Sequence, residues 1–342
     1  MNFQNLNTLI CQEQSIQKHD IKLLEILKWD EIKKKLVKIT IEITFTQDNK
    51  IVYSQEGVIL RIEQVNDSIE NQELLTNMEQ IKYAQWQGEY GENNRKNGYW
   101  RVIWRGKPLR RVGGYYQNGL KQGIWNELNK NFWILAQIQE RGQYFKGQKN
   151  GEWIYFFDDK KIGGGSYNQS GQKNGKWIEL GDGFYNHSQV TYEGEYKNGK
   201  KIGLWDIWFK KHIVGKQNYM IGGGSYDQED QNKIGKWIEL SDGFQEFCQV
   251  TCSGEYQIGK RIGQWSIWYK YWETNNYKEI GGGFYDEEGS MKIGRWIELS
   301  DEFKCDLQIT INGEYNNGKR VGIWQKINIQ NNKIYSQINS DK

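Results

Sequence analysis

The sequence is poor in the residues that most often carry chemistry or interrupt a sheet. Its 342 residues include one proline, Pro108, three histidines and four cysteines. So little proline leaves long stretches in which every backbone N–H is free to join a ladder. His19, His187 and His212 stand in unrelated contexts, so neither a metal motif nor a Ser/His/Asp arrangement can be assembled from them. Cys248 and Cys252 are about 13 Å apart along an extended strand, too far for a disulfide, and lack the two-residue spacing of a zinc knuckle. With Cys11 and Cys305, and with a start, Met-Asn-Phe-Gln-Asn-Leu, that lacks the basic-then-apolar order of a secretory signal, they predict a reducing, cytoplasmic setting. No apolar run reaches the roughly 18–20 residues of a membrane-spanning helix. The 46 basic and 43 acidic residues leave a net charge of +3, too small a field to predict a nucleic-acid partner. Gly222-Gly223-Gly224 lacks the Lys-Ser/Thr of a phosphate-binding loop, so no cofactor is expected.

What is abundant is aromatic and small: 16 Trp, 21 Tyr and 39 Gly. They recur in order. Gly194-Glu195-Tyr196, followed by Gly203-Leu204-Trp205, returns as Gly254-Glu255-Tyr256 with Trp265 and as Gly313-Glu314-Tyr315 with Trp324. A second form alternates with it, from Gly163-Gly164-Gly165 to Trp177, Gly222-Gly223-Gly224 to Trp237 and Gly281-Gly282-Gly283 to Trp296. Trp100, Trp125, Trp153, Trp177, Trp205, Trp237, Trp265, Trp296 and Trp324 each close one unit and are the expected repeat core. Trp177 and Trp205 are 28 residues apart, as are Trp237 and Trp265 and also Trp296 and Trp324, so two units make one module of about 60 residues. Each unit reads as strand, tight loop and strand, with Asn97-Gly98, Asn150-Gly151, Asn174-Gly175, Asn198-Gly199 and Asn317-Gly318 as turns. Alternation puts Trp205, Ile207 and Phe209 on one face and Asp206 and Trp208 on the other. A single hairpin cannot bury such a face, so the units must stack.

The predicted architecture is mainly β: an elongated array of stacked antiparallel hairpins, as a twisted single sheet or open solenoid, with a small α+β cap. The cap spans residues 1–83. An amphipathic helix is expected over 16–36, strands at 37–46, 51–53 and 58–62, and a short helix over 74–81, with Asn66-Asp67-Ser68 supplying capping oxygens. Residues 84–326 hold nine hairpin units and 327–342 form a polar tail. Lys33-Lys34-Lys35 reads as a solvated helix end.

The stretch Tyr192-Glu193-Gly194-Glu195-Tyr196-Lys197-Asn198-Gly199-Lys200-Lys201-Ile202-Gly203 resembles the MORN repeat, in the variant form found in bacterial antitoxin-type components and many protist proteins. The resemblance covers about residues 86–326, and departs from the family where Leu204-Trp205 follows Gly203 in place of a second glycine. It implies elongated hairpin arrays acting as scaffolds between membranes and cytoskeleton, some of which bind acidic lipids or dimerise.

The expected function is accordingly a non-enzymatic scaffold for protein partners, with an acidic-lipid or small-ligand binding module as the alternative. The candidate contacts are the pairs Lys200-Lys201, Lys260-Arg261 and Lys319-Arg320, read as one basic stripe that Glu195, Glu255 and Glu314 could neutralise. A second candidate is an aromatic surface of Trp208, Trp268, Tyr269 and Trp272. Glu179, Glu239 and Glu298, with Asp182, Asp242 and Asp301, recur in every module and so read as structural rather than as acid/base pairs.

Overall fold

The computed structural model describes residues 21–31, 35–64, 74–92, 95–212, 218–271, 276–289 and 291–340. The first sheet is antiparallel and runs in chain order: β1 (Ile21–Asp30), β2 (Lys35–Phe45), β3 (Lys50–Gln55) and β4 (Val58–Gln64). The helix expected over 16–36 is therefore replaced, where described, by a strand and the start of its partner. Leu24 and Ile26 of β1 pack with Ile41, Ile43, Ile51 and Tyr53, and Ile26 stands opposite Ile39. Leu27 and Trp29 are apolar on the other face, so the run fits a helical period as well as a strand's, and pairing with β2 decides. Residues 16–20 and 32–34 of that expected helix lie outside the described residues, as do Cys11, His19, Asn66-Asp67-Ser68 and Trp272.

A short helix, α1 (Met78–Tyr83), follows, later than expected because Asn77 caps it, accepting the Glu79 amide at 2.9 Å. Met78 and Ile81 close the small core under the first sheet.

The second sheet starts with β5 (Ala84–Tyr90), β6 (Lys96–Trp104), β7 (Lys107–Gln117), β8 (Leu120–Leu128), β9 (Gln139–Phe145) and β10 (Gln148–Phe157). It continues through β11 (Lys160–Tyr167), β12 (Lys173–Leu180), β13 (Gln189–Lys197), β14 (Lys200–Lys210), β15 (Asn218–Tyr226) and β16 (Lys233–Leu240). The last strands are β17 (Gln249–Gln257), β18 (Lys260–Lys270), β19 (Tyr277–Tyr285), β20 (Lys292–Leu299), β21 (Ile309–Asn316), β22 (Lys319–Asn328) and β23 (Lys333–Asn339). Each pairs antiparallel with its sequence neighbours. Among the described residues no ladder joins β5 to β23, so the 19-stranded sheet is open. The expected polar tail contributes β23, which pairs with β22 and places Ile338 opposite Trp324.

The turns are only partly those expected. Asn198-Gly199 and Asn317-Gly318 are two-residue turns with both φ values positive, at 48° and 83° and at 47° and 76°. Asn97-Gly98, Asn150-Gly151 and Asn174-Gly175 instead lie inside strands, where only the glycine is left-handed. That glycine recurs in all nine units, two residues before the key Trp, as in Gly203 (φ 62°), Gly235 (φ 66°) and Gly263 (φ 61°). It forms a bulge that re-aims the strand just before the indole.

A second glycine receives that indole. Trp205 lies over Gly194, Trp237 over Gly224 and Trp265 over Gly254, each on the preceding strand, and a Cβ added at any of these glycines would clash with the indole, at 2.2–2.6 Å from its nearest ring carbons. The Gly-x-Tyr motif thus supplies a flat seat, and its Tyr edges against the same ring, as Tyr256 does on Trp265 at 5.2 Å and 89°. All nine key tryptophans are buried, none more than 4% exposed.

Candidate functional site

The face that carries these tryptophans also carries a charged ladder. Residues two apart on a strand share a face, which places Glu127, Glu179, Glu239 and Glu298 beside Trp125, Trp177, Trp237 and Trp296. Each carboxylate is held by two cations and a tyrosine. Glu179 meets Lys173 of its own strand and Lys201 of β14 at 2.8 Å, and accepts from the Tyr196 hydroxyl at 2.7 Å. Glu239 meets Lys233, Arg261 at 2.7 Å and Tyr256 at 3.0 Å. Glu298 meets Lys292, Arg320 at 2.7 Å and Tyr315 at 3.2 Å. Glu127 repeats the pattern with Lys121, Lys149 at 3.7 Å and Tyr144 at 2.9 Å.

The cations in turn lie over the indoles: Lys201 is 4.0 Å from the Trp205 ring centre, Arg261 4.4 Å from Trp265 and Arg320 4.3 Å from Trp324. Burial alone would raise the Glu179 carboxyl, but Lys173 and Lys201 outweigh it and hold it at about 2. Glu127, Glu239 and Glu298 are lowered in the same way against their own burial.

This geometry divides the expected basic stripe. Adjacent residues of a strand point to opposite faces, so Lys201, Arg261 and Arg320 enter the ladder while Lys200, Lys260 and Lys319 remain exposed at the hairpin turns. Lys200 and Lys260 donate to the backbone carbonyls of Glu229 and Glu288 at 2.7 and 3.2 Å. The neutralising acids are Glu179, Glu239 and Glu298. Glu195, Glu255 and Glu314 face the other way, in register with Lys176, Lys236 and Arg295. The signal for the ladder was present as Lys173, Lys233 and Lys292, each six residues before its glutamate.

The expected aromatic surface also separates. Trp208 and Trp268 are half-buried on the opposite face, Trp268 donating to Ser253 Oγ at 2.9 Å. Tyr269 belongs to the tryptophan face instead. It is 1% exposed and packs on Tyr271 and Phe303, so it offers no surface.

Between the β1–β2 hairpin and the tryptophan face lies a groove of about 750 Å³. Leu27, Leu36 and Lys38 form its roof, and Glu179, Tyr192, Lys201, Lys233, Glu239 and Arg261 its floor, with Asp182, Asp242 and Asp301 along one rim. The hairpin is anchored by Trp29, whose ring lies 5.0 Å from Trp133 and 5.9 Å from Tyr185. Nearby, a contact invisible in the sequence brings His187 to within 3.3 Å of Glu246 and its ring to 5.3 Å from that of His212. Among the described residues, no three His, Cys, Asp or Glu side chains converge as a metal site would require. Burial raises the Cys252 thiol to about 11, which removes its nucleophilic form near neutrality.

No protein-family model matches the chain, and no curated protein matches it. The chain is an array of antiparallel β-hairpin repeats. No helix among the described residues is long and apolar enough to cross a membrane.

Proposed function

We propose that the chain is a non-enzymatic scaffold of the MORN-repeat type, which holds a protein partner along the groove on its tryptophan face at a cytoskeletal or membrane boundary. The observation that carries this reading is the repetition of one polar constellation in four successive modules, where a catalytic centre would need it once. The pairing of Lys201, Arg261 and Arg320 with carboxylates of the neighbouring strands weighs against the acidic-lipid alternative, and Lys201 and Arg261 also line a groove that a flat bilayer does not enter. Cell fractionation and vesicle flotation test the two together. The tagged protein is expected in the detergent-resistant pool and absent from floated phosphatidylserine vesicles. Release by detergent, with flotation lost on reversing Lys200, Lys260 and Lys319 to Glu, would overturn the scaffold reading in favour of a lipid-binding module.

A further inference from the structure

The near-neutral charge of the whole chain hides a local excess. Six of its ten arginines, Arg95, Arg101, Arg105, Arg110, Arg111 and Arg141, fall within residues 95–141. On strands β6–β9 the face away from the tryptophans carries no carboxylate, since Glu127 and Glu140 both belong to the tryptophan face. Two rows of side chains cross it. Tyr99 of β6 stands opposite Tyr115 of β7 with ring centres 5.3 Å apart, and Ile124 of β8 extends the row; they are 48%, 60% and 65% exposed. In the next row Arg101 stands opposite Gly113, Gly113 opposite Asn126, and Asn126 opposite Arg141. Gln87 Oε1 steadies Arg101, accepting from its Nε and Nη2 at 3.1 and 3.0 Å. Beside Gly113, four residues of β7 stand against one of β6, and this bulge exposes Arg110 and Arg111. Asn126 holds the bulge down, its Nδ2 donating to the Arg111 carbonyl at 2.8 Å.

Arg105 pairs with Glu79, but among the described residues Arg101, Arg110, Arg111 and Arg141 take part in no ion pair. The carboxylates flanking this face are Glu89 on β5 and Glu152 on β10, and Lys161 already neutralises Glu152 at 3.1 Å. Further along the sheet the face is balanced. Where β8 and β9 pair Ile124 with Gln143, the later strands pair Lys176 with Glu195, Lys236 with Glu255 and Arg295 with Glu314.

We propose that this patch binds single-stranded nucleic acid, with bases stacked on Tyr99 and Tyr115 and phosphates held by the arginines beside them. Every base has a flat face that an exposed tyrosine ring can take, so no sequence need be read. Arginine suits the phosphates because its planar fork donates two parallel hydrogen bonds where lysine offers a point charge. Arg101 and Arg141 lie three strands apart, about 14 Å at ~4.8 Å per strand, so a chain crossing the strands along the tyrosine row meets a cation at each end. An acidic peptide would satisfy the arginines and leave the ring pair idle, so the juxtaposition favours a strand of bases. The patch lies on the face opposite the groove, and the proposal goes beyond the scaffold reading without resting on it.

The test uses the full-length protein with fluorescein-labelled oligouridylate and oligodeoxythymidylate of about 12 nucleotides, followed by anisotropy at several salt concentrations. The duplex of each with its complement is the control. Both single strands are expected to bind more tightly than the duplexes, whose base faces are hidden, and the preference between them distinguishes RNA from DNA. Tyr99→Ala/Tyr115→Ala removes no charge and is expected to weaken binding by about tenfold or more, while Tyr99→Phe/Tyr115→Phe retains it. Arg101→Gln/Arg141→Gln is expected to weaken binding and to reduce the slope of log affinity against log salt by about 1.4. All four side chains are exposed, and native urea midpoints check that the variants fold; should the alanine variant not fold, the salt slope of the glutamine variant decides. No binding of either oligonucleotide, binding unchanged by loss of both rings or both arginines, or duplex bound as tightly as single strand would each overturn the proposal. Binding of phosphatidylserine vesicles in place of the oligonucleotides would overturn it in favour of a lipid surface. Loss of oligonucleotide binding in these variants with unchanged cell fractionation would separate this surface from the scaffold reading.

Discussion

Trp237→Ala is expected to lower unfolding free energy by about 3–5 kcal/mol in urea melts. The indole is 4% exposed, lies on Gly224, and packs between Tyr226 at 5.1 Å and Tyr256 at 6.1 Å. Its Nε1 donates to the Ser225 carbonyl at 3.2 Å, and Lys233 stands 4.5 Å above its ring. Alanine removes all of these and leaves a void that the adjoining strands cannot close, because their spacing is fixed by backbone ladders. Each hairpin is buried only by its neighbours, so the loss should spread as reduced cooperativity through the flanking modules. A loss under about 1 kcal/mol would mean that the indole is not core.

Acid should weaken the fold by a comparable amount. The Glu179 carboxyl titrates at about 2 in the folded chain against an ordinary 4.5, and Glu239 and Glu298 are displaced in the same direction. An unfolded chain therefore binds more protons than the folded one between these values. The stabilisation is complete above about pH 4.5 and is lost as pH falls toward about 2. For Glu179, whose side chain is 17% exposed, the difference corresponds to about 3 kcal/mol. Urea midpoints should hold level from pH 7 to pH 5 and drop steeply below pH 4, and Glu179→Gln should flatten part of that slope. A midpoint unchanged at pH 3 would show that these carboxylates are not held by their lysines and arginines.

The repeat was legible because its signals are local. Trp and Gly at fixed offsets, with strict alternation in Trp205-Asp206-Ile207-Trp208-Phe209, are enough to place the core face. The N-terminal strand β1 was not legible, since Leu23, Leu24, Ile26 and Leu27 fit two periods and only the partner strand chooses between them. Asn150-Gly151 and Asn174-Gly175 look like turns because Asn-Gly tolerates left-handed backbone, yet the glycine there serves a bulge within a strand. The charged ladder required knowing which strands are neighbours: Glu179, Lys201 and Tyr196 come from three successive strands, and their meeting is a property of register, not of sequence distance. For the same reason Lys200 and Lys201 look alike in the chain and lie in different environments.

The repeat core depends most on the fit of each indole into a glycine seat on the preceding strand, and Gly254→Ala measures that fit directly. A Cβ there would stand 2.3 Å from the nearest Trp265 ring carbons, so the expected result is a loss of about 1–3 kcal/mol in urea melts and a changed near-ultraviolet signal from the displaced indole. Gly254→Ala with native stability and native aromatic spectra would contradict it.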